Sequence, residues 1–95
     1  MDNPAKKIVF KRTHQFKKSF NALSADDQEA ARAAFKKFKA DQSDPSLRVH
    51  KINRLSALRK TVVRSITIKS NLRAVFTVQG NVIISEDIGT HDIYK

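Results

Sequence analysis

Three runs decide the fold: Thr61-Val62-Val63-Arg64-Ser65-Ile66-Thr67-Ile68, Leu72-Arg73-Ala74-Val75-Phe76-Thr77-Val78, and Val82-Ile83-Ile84-Ser85-Glu86-Asp87-Ile88. The first is rich in β-branched residues and the second alternates, a strand signature rather than a helical one. Ser70-Asn71 and Gly80-Asn81 separate the runs and supply tight turns. Connections this short make the three strands consecutive antiparallel neighbours, a β-meander. Alternation places Leu72, Ala74, Phe76 and Val78 on one face, with Val82, Ile84 and Ile88 on the last strand. Val62, Ile66 and Ile68 join them from the first strand. Arg64 shares that parity, so either it reaches the sheet edge or a bulge shifts the register. The opposite face carries Arg73, Val75, Thr77, Ile83, Ser85 and Asp87 and is expected to stay open.

Upstream the period changes from 2 to 3.6. Phe16 and Phe20 are four apart, with Leu23 three further on, marking a short amphipathic helix. Ser24 is a good N-cap, and Asp26, Asp27 and Glu29 suit the positive end of a second helix reaching about Ala40. Ala31, Phe35 and Phe38 line its buried stripe, while Lys36, Lys37 and Lys39 fall where cations suit the dipole. Asp41 to Pro45 breaks it. Lys7 to Lys11 reads as a short first strand, and Arg48 to Ile52 adds another before the meander. The expected fold is α+β: two N-terminal helices packed on one face of an antiparallel sheet, in the order β-α-α-β-β-β with the extra short strand.

The chain has 95 residues, 40% of them hydrophobic, so residues 1–95 read as one domain. It contains no cysteine, which excludes disulfides, cysteine-ligated zinc and thiol catalysis. Nothing approaches the roughly 18 consecutive apolar residues of a membrane span. Residues 1–7 lack the apolar run of a signal peptide, so a cytoplasmic location is expected. Its only glycines, Gly80 and Gly89, exclude a glycine-rich phosphate loop, and no histidine–carboxylate spacing forms a metal site. Nineteen Lys and Arg against nine Asp and Glu leave a net charge of +10. Such an excess points to nucleic acid, a ribosome or an acidic protein as partner.

Few residues can carry chemistry. His14 lies among lysines on the first helix and reads as a surface residue. His50 stands in the basic run Arg48-Val49-His50-Lys51, where a structural role competes with a functional one. His91 follows the last strand in Gly89-Thr90-His91-Asp92-Ile93-Tyr94, placed for acid–base work. Arg73 either pairs with Asp87 on the neighbouring strand or clamps a phosphate. A fixed guanidinium and an imidazole in a positive groove suffice to cleave RNA without metal: the first stabilises charge on the phosphorane, the second moves a proton.

Taken together, these residues resemble the RelE/ParE superfamily of bacterial type II toxins, in its RelE/YafQ-like mRNA interferase branch. The likeness covers nearly the whole chain. It runs through Phe16-Lys17-Lys18-Ser19-Phe20, Leu47 to Ile52, Ser65 to Ile68 and Leu72-Arg73-Ala74-Val75-Phe76, to the ending Asp87 to Tyr94. The resemblance implies a toxin that cuts mRNA in the ribosomal A site, the 2′-hydroxyl attacking the adjacent phosphate with no metal and no cofactor. It implies that Arg73 stabilises the transition state and that His91 and Tyr94 transfer protons and orient the message. His50 matches a histidine of some members, and Lys51 is expected near the cut phosphate. Arg48, Arg54, Lys17, Lys18, Lys36 and Lys37 are expected to contact RNA or the ribosome. The partners implied are an acidic antitoxin, rRNA and mRNA, with no membrane. The chain departs from the pattern at Thr67 and Asn71, where related toxins carry a histidine and an aspartate. The general base therefore stays open between His50, His91 and Lys51. Two other readings stand beside this one: a ParE-like inhibitor of DNA gyrase, and a basic RNA-binding module without activity.

Overall fold

The computed structural model describes residues 7–52 and 62–90. Its elements are β1 (Val9–Arg12), α1 (His14–Asn21), α2 (Ala25–Ala40), a 3-10 turn (Pro45–Leu47), β2 (His50–Lys51), β3 (Val63–Lys69), β4 (Leu72–Gln79) and β5 (Val82–Gly89). The five strands form one sheet in the order β1-β5-β4-β3-β2. The meander β3-β4-β5 and the short β2 are antiparallel, but β1 lies parallel to β5, so the sheet is mixed. Strand direction alternates from β1 to β5 in chain order, so the fifth strand runs with the first, and the two pair in parallel.

The second helix begins on the Ser24 cap expected from the sequence, and the first on a cap at Thr13 that was not expected. Ser24 Oγ accepts the Asp27 amide at 3.1 Å, and Asp26 and Asp27 occupy the first turn of α2. Thr13 Oγ accepts the Phe16 amide at 3.0 Å and donates to the Glu86 carbonyl at 2.9 Å, so the start of α1 is tied to β5. Phe16, Ala31, Ala34 and Phe38 from the helices meet Ile66, Leu72, Ala74, Phe76, Ile83 and Ile88 from the sheet. Phe38 sits at the centre, 4.8 Å from Phe76 and 6.1 Å from Phe10 between ring centroids. Gly80, at φ +61°, makes the turn between β4 and β5.

The expected faces hold on β4 and change on its neighbours. Val78 pairs with Ile83 and Phe76 with Ser85, but Val75 pairs with Asp87, leaving Glu86 as an extra residue. This bulge reverses the parity of β5. Ile83 and Ile88 face the helices, and Val82 and Ile84 do not. Strict alternation from Ile83 would have put the Asp87 charge against the helices and turned Ile88 away from them. On β3 the register shifts at Ile68. Arg64 does lie on the helix side, opposite Phe76, yet stays exposed beside the short β2. Val62 precedes the strand and is 36% exposed rather than inward.

The face away from the helices is not open over its centre. Val63, Ser65, Val75 and Thr77 are all buried there. Two valines in one patch favour being covered rather than wetted. The face becomes accessible towards Arg73 and the outer strand β2.

Candidate functional site

On the face away from the helices, register brings the polar residues together. His50 lies opposite Ser65, Ser65 opposite Val75, and Val75 opposite Asp87, forming one row across four strands. Two residues along, Thr67 lies opposite Arg73 and Arg73 opposite Gly89. Strand spacing and rise separate the Cα atoms of His50 and Arg73 by roughly 12 Å on this common face.

The imidazole of His50 is held at two points. Nδ1 lies 3.1 Å from the Arg48 carbonyl, and Ser65 Oγ lies 3.2 Å from Nε2 and 3.4 Å from Nδ1. The tautomer satisfying both carries its proton on Nδ1, which leaves Nε2 as the basic nitrogen. The Arg48 carbonyl is aimed by an unusual backbone: Arg48 adopts φ 49°, ψ 52° as it closes the 3-10 turn. A non-glycine residue in this region costs about 1 kcal/mol or more, a local strain that fixes the approach to β2. Ser65 is wholly buried, so its hydroxyl cannot turn to water instead.

Arg73 is anchored differently. One terminal nitrogen donates to the carbonyls of Lys69 at 3.0 Å and Ser70 at 3.1 Å, closing the turn between β3 and β4. Among the described residues its other terminal nitrogen and Nε have no partner, leaving a half-exposed guanidinium fixed at one end. The expected pairing with Asp87 is not formed, although the bulge turns Asp87 to the same face, opposite Val75. Asp87 instead accepts the Ile88 amide at 2.8 Å. Glu86 accepts from Thr77 Oγ at 2.9 Å on the same face.

His91, Tyr94 and Arg54 lie outside the described residues. In sequence, His91 and Tyr94 follow Gly89, the register partner of Arg73, by two and five positions. Lys51 alternates to the helix side, opposite Arg64, and is not brought to the His50 row. Arg48 and Arg64 line a hollow of about 580 Å³ on that same side, above Phe38, Phe76 and Ile83. Lys17 and Lys18 on α1, and Lys36 and Lys37 on α2, are exposed in the helix layer, across the sheet from His50 and Arg73.

Sequence reasoning missed Ser65, which orients His50, and Thr13, which joins α1 to the β5 bulge. The signal for the bulge was present: Val82, Ile84, Glu86 and Ile88 share one parity, and an acid on an apolar stripe marks a break in register. No group of three His, Asp or Glu among the described residues converges as a metal site. No helix among them is long and apolar enough to cross a membrane.

No protein-family model and no curated protein sequence matches the chain. Solved structures do. YafQ from Escherichia coli BL21(DE3) superposes with a TM-score of 0.72 at 11% identity, covering 92% of this chain and 97% of that one. YafQ in the E. coli DinJ–YafQ complex gives 0.71 at 13% identity, covering 92% and 97%. A copper-bound mutant toxin from Helicobacter pylori gives 0.64 at 18% identity, covering 92% and 98%. The chain therefore has the RelE-like α+β fold of YafQ, two helices against a five-stranded mixed sheet, matched over nearly its whole length.

Proposed function

We propose that this chain is the toxin of a type II toxin–antitoxin system and cleaves mRNA in the ribosomal A site. The observation that carries the reading is the common sheet face shared by His50, oriented by Ser65 and the Arg48 carbonyl, and the anchored guanidinium of Arg73. The whole-length likeness in fold to YafQ, one of whose structures is a complex with DinJ, supports it. A net charge of +10 suits both rRNA and an acidic antitoxin.

In this mechanism an imidazole takes the proton from a ribose 2′-hydroxyl. The oxygen attacks the adjacent phosphorus, and the P–O5′ bond breaks as the 5′-oxygen leaves and is protonated. The products are a 2′,3′-cyclic phosphate and a 5′-hydroxyl. His50 Nε2 is the basic nitrogen on this face among the described residues, and the buried Ser65 Oγ stays beside the ring to orient it. The free N–H groups of Arg73 stabilise the charge that builds on the phosphorane oxygens. His91 is the candidate acid for the leaving oxygen, and Tyr94 the aromatic that orients the message. Neither step needs a metal or a cofactor.

Primer extension on a message in a purified translation system tests this. Discrete cuts that require ribosomes are expected, and Arg73→Ala should lower cutting by about a hundredfold or more, as loss of a charge-stabilising group does. Intact message at full ribosome occupancy would remove the nuclease reading.

A further inference from the structure

Lys69 ends β3 and faces the helices, against the parity of its strand. Thr67 lies opposite Arg73 on the far face, and strict alternation would place Lys69 on that face too. The register shift after Thr67 instead sets Lys69 opposite Leu72, which is buried in the core. Its ammonium therefore leaves the far face and meets the Asp27 carboxylate on α2. Among the described residues no other ion pair joins a helix to the sheet.

Asp27 is firmly mounted. Its amide donates to Ser24 Oγ at 3.1 Å, inside the capped first turn of α2. The side-chain amide of the next residue, Gln28, donates to the Phe20 carbonyl at 3.0 Å and the Leu23 carbonyl at 3.4 Å, which locks this end of α2 to the end of α1. On the sheet, the carbonyls of Lys69 and Ser70 are the two acceptors that hold one terminal nitrogen of Arg73. The Lys69 side chain thus reaches one layer while its carbonyl serves the other.

We infer that Lys69 and Asp27 form a positioning pair for cleavage: the ion pair fixes the turn whose carbonyls seat Arg73, and so sets where its free N–H groups meet the reacting phosphate. The inference rests on the reading of Arg73 as the charge-stabilising group. The side chains of Lys69 and Asp27 are 49% and 30% exposed, and an ion pair open to water adds little to global stability. Catalysis is more demanding, since a misplacement of about 1 Å can cost about a hundredfold in rate. The pair is therefore expected to act on rate and hardly on unfolding.

The test measures cleavage of ribosome-bound message by the full chain, together with the heteronuclear NOE of the Arg73 side-chain Nε–H group. Lys69→Gln and Asp27→Asn should each lower kcat about five- to tenfold with KM changed less than about twofold, and both should reduce the Arg73 NOE. The two variants shift net charge in opposite directions, so a loss shared by both is not a change in attraction for RNA. Combining them should cost no more than either alone, because one substitution already breaks the pair. Lys69→Arg keeps a cation for Asp27 and should stay within about twofold of wild type. Urea midpoints should remain close to that of wild type throughout. Additive losses in the double variant, an equal loss in Asp26→Asn, or an unchanged Arg73 NOE would overturn the inference. If wild type cleaves nothing while the Arg73 NOE still falls in both variants, the nuclease reading is lost and the clamp on Arg73 stands. If wild type cleaves and both variants match it, only the positioning pair is lost.

Discussion

The helix side and the far side of the sheet are built from the same strands and are organised by different forces. Towards the helices the strands present Ile66, Leu72, Ala74, Phe76, Ile83 and Ile88, packed on Phe16 and Phe38. Away from them the same strands present Ser65, Thr77, Arg73, Asp87 and Glu86, linked by directed hydrogen bonds. Burial of apolar area is non-directional and tolerates small shifts, whereas an imidazole held between a carbonyl and a hydroxyl does not. One layer supplies stability, and the other uses that rigidity to hold polar groups in register.

The contrast can be broken most directly from the helix side. Phe38→Ala should cost about 3–5 kcal/mol in urea denaturation, because Phe38 is only 2% exposed and touches both Phe10 and Phe76. A loss below about 1 kcal/mol would mean that the aromatic layer does not hold the sheet. Thr13→Ala removes the cap of α1 together with its bond to the Glu86 carbonyl, and should cost about 1–2 kcal/mol. If the bulge depends on this clamp, resonances of Glu86 and Asp87 will move more than those of α1.

On the far side, Ser65→Ala should cost about 1 kcal/mol of stability yet reduce message cleavage about tenfold or more, since it frees the His50 ring. Equal activity in wild type and variant would show that the ring is oriented by the Arg48 carbonyl alone. The smallest effect concerns the turn that leads to His50. Two hydrogen bonds from Ser46, one from its hydroxyl and one from its amide, hold the Asp44 carboxyl below its ordinary value of 3.8. A depressed carboxylate stabilises the fold above that value and loses its contribution as pH falls through the lower, folded value. Asp44→Ala should therefore lower the melting temperature slightly at neutral pH and not at about pH 2. A difference that persists in acid would assign the effect to backbone conformation rather than charge.

Much of this architecture was legible in residue order. The caps at Ser24, the turns at Ser70-Asn71 and Gly80-Asn81, the helix stripe of Ala31, Phe35 and Phe38, and the inward set Leu72, Ala74 and Phe76 are all local or periodic features. They survive folding because neighbouring residues alone enforce them. The short strand at His50-Lys51 and the basic surface were legible for the same reason. The parallel seat of β1, the reversed faces of β5 and the covered centre of the far face were not.

Sequence by itself determined the elements, their order and the sign of the surface. Tertiary structure decided which polar groups meet. Ser65 finds His50 across a strand pair, Thr13 finds Glu86 at a separation of 73 residues, and the single extra residue at Glu86 turns Asp87 away from the helices. Such contacts depend on register summed across strands. One inserted residue moves every later side chain to the other face, and local propensity carries no record of it.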